Sequence, residues 1–350
     1  MPLANRKTSK PRADFARSLN DSEIDSLISD PELQVLQTHS EVEGETWDLL
    51  NRKLLVARPD IELRVYLFAA KVCDLSFLPR IANVRHFTAD SLRQATGLEH
   101  LASLSQLESL SIGIYDLTSF DFLADLQSDR LRKLSLQATK SKKPCLNVIQ
   151  RFSHLRTLYL ERQQKGIEVL SDLHRLEELG LRSISTSDIR YVRDLDRLWS
   201  IDIKLGGTAD LSALADMNHV KYLELWQIRG LKDISFISQM RGLQYLFLQS
   251  LPNVREMPDV SQLTSLRKIY LDSMSGVTDL SPLSAAPALE EFIHVSALGM
   301  KPEDYIPLQK VKSLKHASVG FGSEKKNAAL RELMSQMGVD TYTRHPFEFR

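Results

Sequence analysis

The sequence predicts an α/β solenoid, a stack of similar coils that each contribute one strand to a parallel sheet. A hydrophobic motif, Leu-x-x-Leu-x-Leu or a close variant, recurs along most of the chain. It begins at residues 84, 107, 131, 155, 176, 198, 220, 243, 266, 289 and 314, so successive copies lie 21 to 25 residues apart. This period leaves room for one strand and one short return per copy, and each coil buries its apolar face only against its neighbours.

The motif and its period are those of a leucine-rich repeat. Strand residues alternate between faces, so the second and third apolar positions of each motif point into the coil. After the strand, apolar residues recur at every third position, as in Ile228, Leu231, Ile234, Ile237 and Met240. That spacing favours short 3₁₀ turns over long helices. We therefore expect a horseshoe with the parallel sheet on its concave face and short 3₁₀ or α turns on its convex face.

The two ends of the chain depart from the repeat. Residues 1–12 are polar and basic and predict a disordered tail. Residues 13–59 carry two amphipathic helical patterns and predict a helical N-terminal cap, because the first coil would otherwise expose its core to water. Leucine-rich repeats are expected over residues 60–322. Residues 323–350 predict a C-terminal cap, in which a helix ends at Gly338 and a strand follows.

Composition narrows the class of function. The chain has 45 basic and 45 acidic residues among 350, and a formal net charge of zero argues against a nucleic-acid binder. No apolar run is long enough to span a membrane, and the basic start has no apolar stretch of the secretory kind. Cys73 and Cys145 lie about three coils apart and predict free thiols. We expect a cytoplasmic protein that is a monomer when free.

The sequence contains none of the common catalytic motifs. The chain has no His-Glu-x-x-His, no Cys-x-x-Cys and no Gly-x-Ser-x-Gly sequence, so we predict no catalytic residue, no metal site and no cofactor. Residues 319–326 are glycine-rich but lack the spacing of a phosphate-binding loop. His294 occupies a core position of its motif and is expected to be a hydrogen-bonded interior residue.

The outward strand positions carry the candidate binding site. Residues in the same column of adjacent strands become neighbours, since the strands lie about 4.8 Å apart. Aromatic side chains fall on three successive strands, with acidic side chains around them, and all are expected to be exposed because leucines fill the opposite face. Exposed aromatic clusters rimmed by charge mark partner sites. The predicted partner-binding residues are Tyr159, Glu178, Asp202, Tyr222, Glu224, Trp226, Tyr245, Phe247, Tyr270 and Asp272. Lys204 is expected to be an exposed, dispensable strand residue.

The stretches that follow the strands carry a family resemblance. Asp279-Leu280-Ser281-Pro282-Leu283 and Asp74-Leu75-Ser76-Phe77-Leu78 resemble the bacterial internalin-type leucine-rich repeats over roughly residues 60–320. In these returns Ser76, Ser212, Ser235 and Ser281 are expected to cap the turns. The resemblance implies a protein-binding solenoid. The asparagine that many such repeats place after the strand is replaced here by Tyr115, Thr139, Gln163, Ile184, Gly206, Ile228, Leu251 and Met274.

Two classes of function remain open at this point. The first is a non-enzymatic inhibitor that sequesters a protein through its concave face, for example an immunity protein directed at a bacterial toxin. The second is a regulatory or targeting subunit of an enzyme complex, or an effector directed at a host. Acidic residues beside aromatic ones favour a basic or amphipathic protein partner. Neither nucleic acid nor membrane is expected as a partner.

Overall fold

A computed structural model describes residues 10–66, 72–127 and 129–350. The chain forms two compact units, residues 7–176 and residues 177–350. Residues 1–9 of the predicted tail lie outside the described residues. None of the helices in the described ranges is long and apolar enough to cross a membrane.

The first unit is built on a parallel sheet. Its strands, in spatial order, are β1 (Arg12–Asp14), β2 (Val35–Thr38), β3 (Glu62–Tyr66), β5 (His86–Leu92), β7 (Ser109–Ile114), β8 (Lys133–Leu136) and β9 (Thr157–Glu161). A separate parallel pair joins β4 (Cys73–Asp74) to β6 (Ala95–Thr96). The returns contain 3₁₀ turns at Leu78–Ile81, Leu98–Ser103, Asp121–Asp125, Leu146–Arg151 and Ile167–Asp172.

Helices cap the start of the first unit, as the sequence predicts. Helix α1 (Asp21–Ser29) begins at Asn20, whose side chain accepts a hydrogen bond from the Glu23 N–H. Helix α2 (Gly44–Leu49) continues through a π-helical turn (Leu50–Leu54) into α3 (Leu55–Ala57). The cap also contains β1 and β2, which the helical pattern does not predict. All four residues of β2 are buried, because it lies between β1 and β3.

The second unit continues the same plan. Its parallel strands are β10 (Glu178–Arg182), β11 (Ser200–Lys204), β12 (Tyr222–Trp226), β13 (Tyr245–Gln249), β14 (Lys268–Asp272), β15 (Glu291–Val295), β16 (His316–Val319) and β17 (Asp340–Thr341). Its 3₁₀ turns span Arg190–Val192, Ser212–Leu214, Ser235–Gln239, Ser281–Ala285 and Pro302–Lys310. Helix α4 (Glu324–Gln336) is capped by Ser323, and Gly338 follows it with φ 71°.

The core of each coil is filled by the motif residues. Leu223, Leu225, Leu246 and Leu248 are all fully buried, which confirms the predicted alternation of faces. His294 takes one of these core positions and is also buried, with its Nδ1 2.8 Å from the Tyr305 hydroxyl. Burial lowers the pKa of His294 to about 4, so the ring is neutral at pH 7.

Aspartates, and not serines, cap the 3₁₀ turns. In the second unit the Ser212, Ser235 and Ser281 N–H groups donate to the carboxylate two residues earlier, at 3.0, 2.8 and 2.8 Å. Each serine is itself the first residue of its turn, so its hydroxyl is not placed to accept from the turn. The prediction that serines cap these turns is therefore wrong. The carboxylate accepts from both the backbone and the hydroxyl of the serine, which a hydroxyl alone cannot match.

A residue with left-handed backbone conformation follows the strand in most coils. In the second unit these residues are Ser183, Leu205, Gln227, Ser250, Ser273 and Ser296, with φ between 51° and 57°. The conformation turns the chain out of the sheet while keeping its N–H aimed at the next strand. The Leu205 N–H, for example, donates to the Trp226 carbonyl at 2.9 Å. The sheet hydrogen bonding thus extends one residue past each of the strands β10 to β14.

The two cysteines both lie in the first unit and both are free thiols. Cys73 is buried and Cys145 is half-buried. Burial, with a smaller contribution from neighbouring Asp74, raises the pKa of the Cys73 thiol to about 12.

Candidate functional site

The aromatic residues of the second unit stand in the predicted columns. Tyr222 pairs with Tyr245 across β12 and β13, and Tyr245 pairs with Lys268 on β14. In the next column, Phe247 pairs with Tyr270. The Tyr222 and Tyr245 rings meet edge-on at 5.2 Å, and the Phe247 and Tyr270 rings stack at 4.7 Å. The register of the sheet therefore brings these side chains together, as the repeat spacing predicts.

Two of these tyrosines are buried, which the sequence does not predict. Tyr222 is 2% exposed and Tyr245 is 8% exposed. Residues 342–350, the return segment, lie across this face of the sheet and bring Phe347 to a ring distance of 5.2 Å from Tyr245. Phe347 is itself 5% exposed. The expectation that Tyr222 and Tyr245 face solvent is wrong, because another part of the same chain covers them.

Phe349 extends the contact toward β11. Its ring lies 5.1 Å from the Trp199 ring and 6.2 Å from the Tyr222 ring. It also meets the Phe347 ring edge-on at 4.9 Å. We call Trp199, Tyr222 and Tyr245 the covered patch, since both phenylalanines of the return segment pack on it.

Polar side chains hold the backbone of the return segment. The Gln244 Nε2 donates to the Arg350 carbonyl at 2.6 Å, and the Arg350 N–H donates back to the Gln244 Oε1 at 2.8 Å. The Arg267 guanidinium donates to the Glu348 carbonyl and lies over the Phe347 ring at 4.6 Å. These contacts fix the segment through its peptide groups as well as its rings.

Lys268 anchors the beginning of the return segment. Its Nζ donates to the Tyr342 hydroxyl at 2.8 Å and lies 2.9 Å from the Glu291 carboxylate. The His345 Nε2 lies 2.8 Å from the other oxygen of the same carboxylate. Lys268 and Glu291 are both buried. A buried ammonium and carboxylate need each other and further polar partners, and the return segment supplies two of them.

Asp202 and Glu224, the acidic residues among the aromatic ones of the predicted site, are neutralised internally. The Lys204 Nζ lies 2.7 Å from Asp202 and 3.0 Å from Glu224, and the Tyr222 hydroxyl donates to Glu224 at 2.6 Å. Asp202 and Glu224 are both buried, and Lys204 is half-buried. Burial acts to lower the pKa of Lys204, but the two carboxylates outweigh it and raise that pKa. The expectation that Asp202, Glu224 and Lys204 are exposed is therefore wrong, and the two ion pairs favour a structural role for Lys204.

The remaining predicted residues form a more open part of the face. Trp226, Phe247 and Tyr270 are half-buried and keep part of each ring in contact with solvent. We call these three residues the open strip. Beside it, the Arg182 guanidinium lies 5.8 Å from the Trp226 ring, and the Gln249 amide donates to Asp272 at 3.0 Å.

Two predicted residues stand apart from that strip in the chain. Glu178 is half-buried on β10, in the same register column as Ser200 and Tyr222. Tyr159 is half-buried on β9 and belongs to the first unit.

Several residues that shape the face were not found from the sequence. They are Trp199, Gln244, Arg267, Tyr342, His345, Phe347 and Phe349. Two signals were available. Lys268 and Glu291 follow Tyr222 and Tyr245 in one register column, and opposite charges at neighbouring positions favour an ion pair. Phe347-Glu348-Phe349, after Pro346, alternates apolar and polar residues as an extended segment on a surface does.

No group of three or more His, Cys, Asp or Glu side chains in the described part of the chain is arranged to hold a metal ion. The residues of the face offer rings, amides and ion pairs. Such groups are common at protein interfaces.

No protein-family model matches this chain, and no curated protein is significantly similar to it. Solved structures do resemble it. An internalin (InlF) from Listeria monocytogenes matches with a TM-score of 0.50 and 18% identity, over 75% of this chain and 80% of the other. A leucine-rich-repeat protein of Leptospira interrogans matches with a TM-score of 0.51 and 13% identity, over 93% of both chains.

The chain has the leucine-rich-repeat fold. A third match is to the TLR13–ssRNA13 complex, with a TM-score of 0.51 and 17% identity, over 87% of this chain and 53% of the other. The leucine-rich-repeat fold predicted from the motif spacing is thus confirmed. At these identities the resemblance concerns the fold alone.

Proposed function

We propose that this leucine-rich-repeat chain is a non-enzymatic scaffold that binds a protein through the face of the second unit. The open strip carries the proposal. Trp226, Phe247 and Tyr270 lie on three adjacent strands and present rigid rings whose burial loses little rotamer entropy. The rings flank Arg182, Gln249 and Asp272, which supply a polar rim. A formal net charge of zero favours a protein partner over RNA or DNA.

We further propose that the chain sequesters its partner, as an inhibitor or a toxin-directed immunity protein does. The expected partner is amphipathic and need not be basic, because Lys204 compensates the acidic residues on this face. Adding the purified chain to the identified partner should inhibit the partner's activity in proportion to complex formed. If the partner keeps full activity at a saturating concentration of the chain, sequestration is contradicted but the scaffold role is not.

The binding face is tested by substitution in the full chain. Partners are captured from cell extract, identified by mass spectrometry, purified and titrated by calorimetry. Trp226→Ala should weaken binding at least ~30-fold, because truncating a central aromatic residue typically costs about 2 kcal/mol or more. Lys232→Ala, at an exposed position in the stretch that follows β12, is the control and should bind as the wild type does. Unchanged affinity in Trp226→Ala and Tyr270→Ala would remove the site from this face.

A further inference from the structure

The return segment lies on the face in the manner of a bound peptide. Phe347 and Phe349 turn toward the sheet, while Glu348 between them and Arg350 after them are exposed. Side chains of an extended chain alternate in this way, so one side meets the receptor and the other meets water. Extended peptides are recognised by bonds to their backbone and by pockets for alternate side chains. Both elements are present here.

Gln244 recognises the peptide backbone without regard to sequence. Its amide both donates to and accepts from Arg350, at 2.6 and 2.8 Å, as a neighbouring strand would. The Arg267 guanidinium adds a bond to the Glu348 carbonyl. Sequence selectivity then comes from the covered patch, where Trp199, Tyr222 and Tyr245 receive two rings that are separated by one residue.

The receptor is more firmly held than the segment. Tyr222 and Tyr245 stand on strands that are paired on both sides. The return segment, by contrast, makes its last backbone-to-backbone bond at Tyr342, whose N–H donates to the Ala317 carbonyl at 3.1 Å. Residues 343–346 are exposed. Departure of residues 343–350 would therefore uncover a formed aromatic surface while Tyr342 keeps its backbone hydrogen bond to the sheet.

We propose that residues 342–350 are an internal ligand, which competes for the covered patch with a partner segment of the same chemistry. This proposal rests on the proposed function and names the partner class: an extended protein segment with two aromatic residues separated by one polar or acidic residue. The open strip continues from the covered patch, since Phe247 and Tyr270 pack against the Tyr222–Tyr245–Phe347 cluster. One bound partner can therefore contact both.

Tethering sets the strength of the competition. A segment joined to its receptor by a short stretch of chain acts at an effective concentration of about a millimolar. If the same segment bound as a free peptide with a dissociation constant of ~100 µM, the tethered copy would lower the apparent affinity of a competitor about tenfold. Removing the two phenylalanines should restore that factor.

The test uses the full chain and a synthetic peptide of residues 342–350. The double variant Phe347→Ser/Phe349→Ser should bind the labelled peptide in fluorescence anisotropy at least ~10-fold more tightly than the wild type, whose patch is occupied. A peptide with the same two Phe→Ser changes should bind neither protein. Leu298→Ser, which removes an exposed apolar side chain after β15, should behave as the wild type does.

Three results would overturn the proposal. The first is a double variant that melts as the wild type does and fails to bind the peptide, and the second is equal binding by both proteins. If the double variant does not fold, Phe349→Ser, which removes only a half-buried ring, should still bind the peptide more tightly than the wild type. If Phe349→Ser binds the peptide no more tightly than the wild type does, that is the third result that would overturn the proposal. If this peptide test failed, weaker binding of the partner to Trp226→Ala would still support the proposed function. The two proposals can therefore fail separately.

Discussion

At the scale of single residues, Lys204 stabilises two buried carboxylates. Its ammonium lies between the Asp202 and Glu224 carboxylates, both of them buried. Lys204→Ala should lower the free energy of unfolding by about 2 kcal/mol at pH 7, because it leaves two adjacent carboxylates without their common counter-charge. Urea denaturation measures the change.

Lys232→Ala is the matched control for that substitution. Lys232 is exposed in the stretch that follows β12, and its loss should change the free energy of unfolding by less than about 0.5 kcal/mol. Equal stability of the two alanine variants would show that Lys204 contributes no more than a surface charge.

Leu205 is a second residue whose backbone sets its behaviour. Its φ is 57°, a left-handed conformation that costs a leucine about 1 kcal/mol and an asparagine less. Leu205→Asn should raise the free energy of unfolding by about 0.5 kcal/mol, after allowing for the loss of a half-buried side chain. Leu205→Ala keeps the strain and should be destabilising. The explanation fails if asparagine and alanine lower stability equally in thermal melts.

At the scale of the element, the Asp-x-Ser turns make stability depend on pH. The Ser235 N–H and hydroxyl hold the pKa of Asp233 below its ordinary value, and the serine two residues on does the same for Asp210 and Asp279. A carboxyl with a depressed folded pKa adds stability above its unfolded pKa, near 4, and that stability is lost as pH falls through the lower folded value.

Asp233→Ala tests this turn. It should cost about 1 kcal/mol at pH 7, as loss of a cap does, and the deficit relative to the wild type should shrink on going from pH 5 to pH 2. Denaturant melts at several pH values measure it. A deficit that is constant with pH would show that the aspartate stabilises the turn without its charge.

The elements also show what local pattern predicts and what it misses. Each strand of the repeats follows from the alternation of buried leucines, and each short turn from apolar residues at every third position. Strand β2 was missed because Val35, Leu36, Gln37 and Thr38 are too few to establish a period. Serine caps were predicted because the sequence shows the Asp–Ser pair and not which side chain accepts the bond.

At the scale of the whole molecule, coils should respond locally to damage. Leu246 is fully buried in its coil and packs chiefly against neighbouring coils. Leu246→Ala should cost about 3 kcal/mol. Hydrogen exchange should accelerate most in β12, β13 and β14 and least in strands such as β3 and β5. Uniform acceleration throughout the described chain would indicate that the molecule opens in one step.

The candidate site lies partly beyond what the sequence can predict. The register of Tyr222, Tyr245, Phe247 and Tyr270 followed from the motif spacing alone. Their exposure did not, because it depends on residues 342–350, which lie about 100 residues further along the chain. Contacts at that separation carry no local period. The compensation of Asp202 and Glu224 by Lys204 was missed for another reason, since alternation places all three outward and does not show which of them pair.

The left-handed residue after each strand has a consequence for how such genes change length. Ser183, Leu205, Gln227 and Ser250 mark the same point in successive coils. When the stretch from one such residue to just before the next is duplicated or deleted, the new junction again joins a strand end to a left-handed residue. The new junction therefore has the geometry of the old ones. We therefore expect slippage during replication that respects this unit to keep the later coils in register, whereas slippage by any other length shifts every later leucine away from its layer.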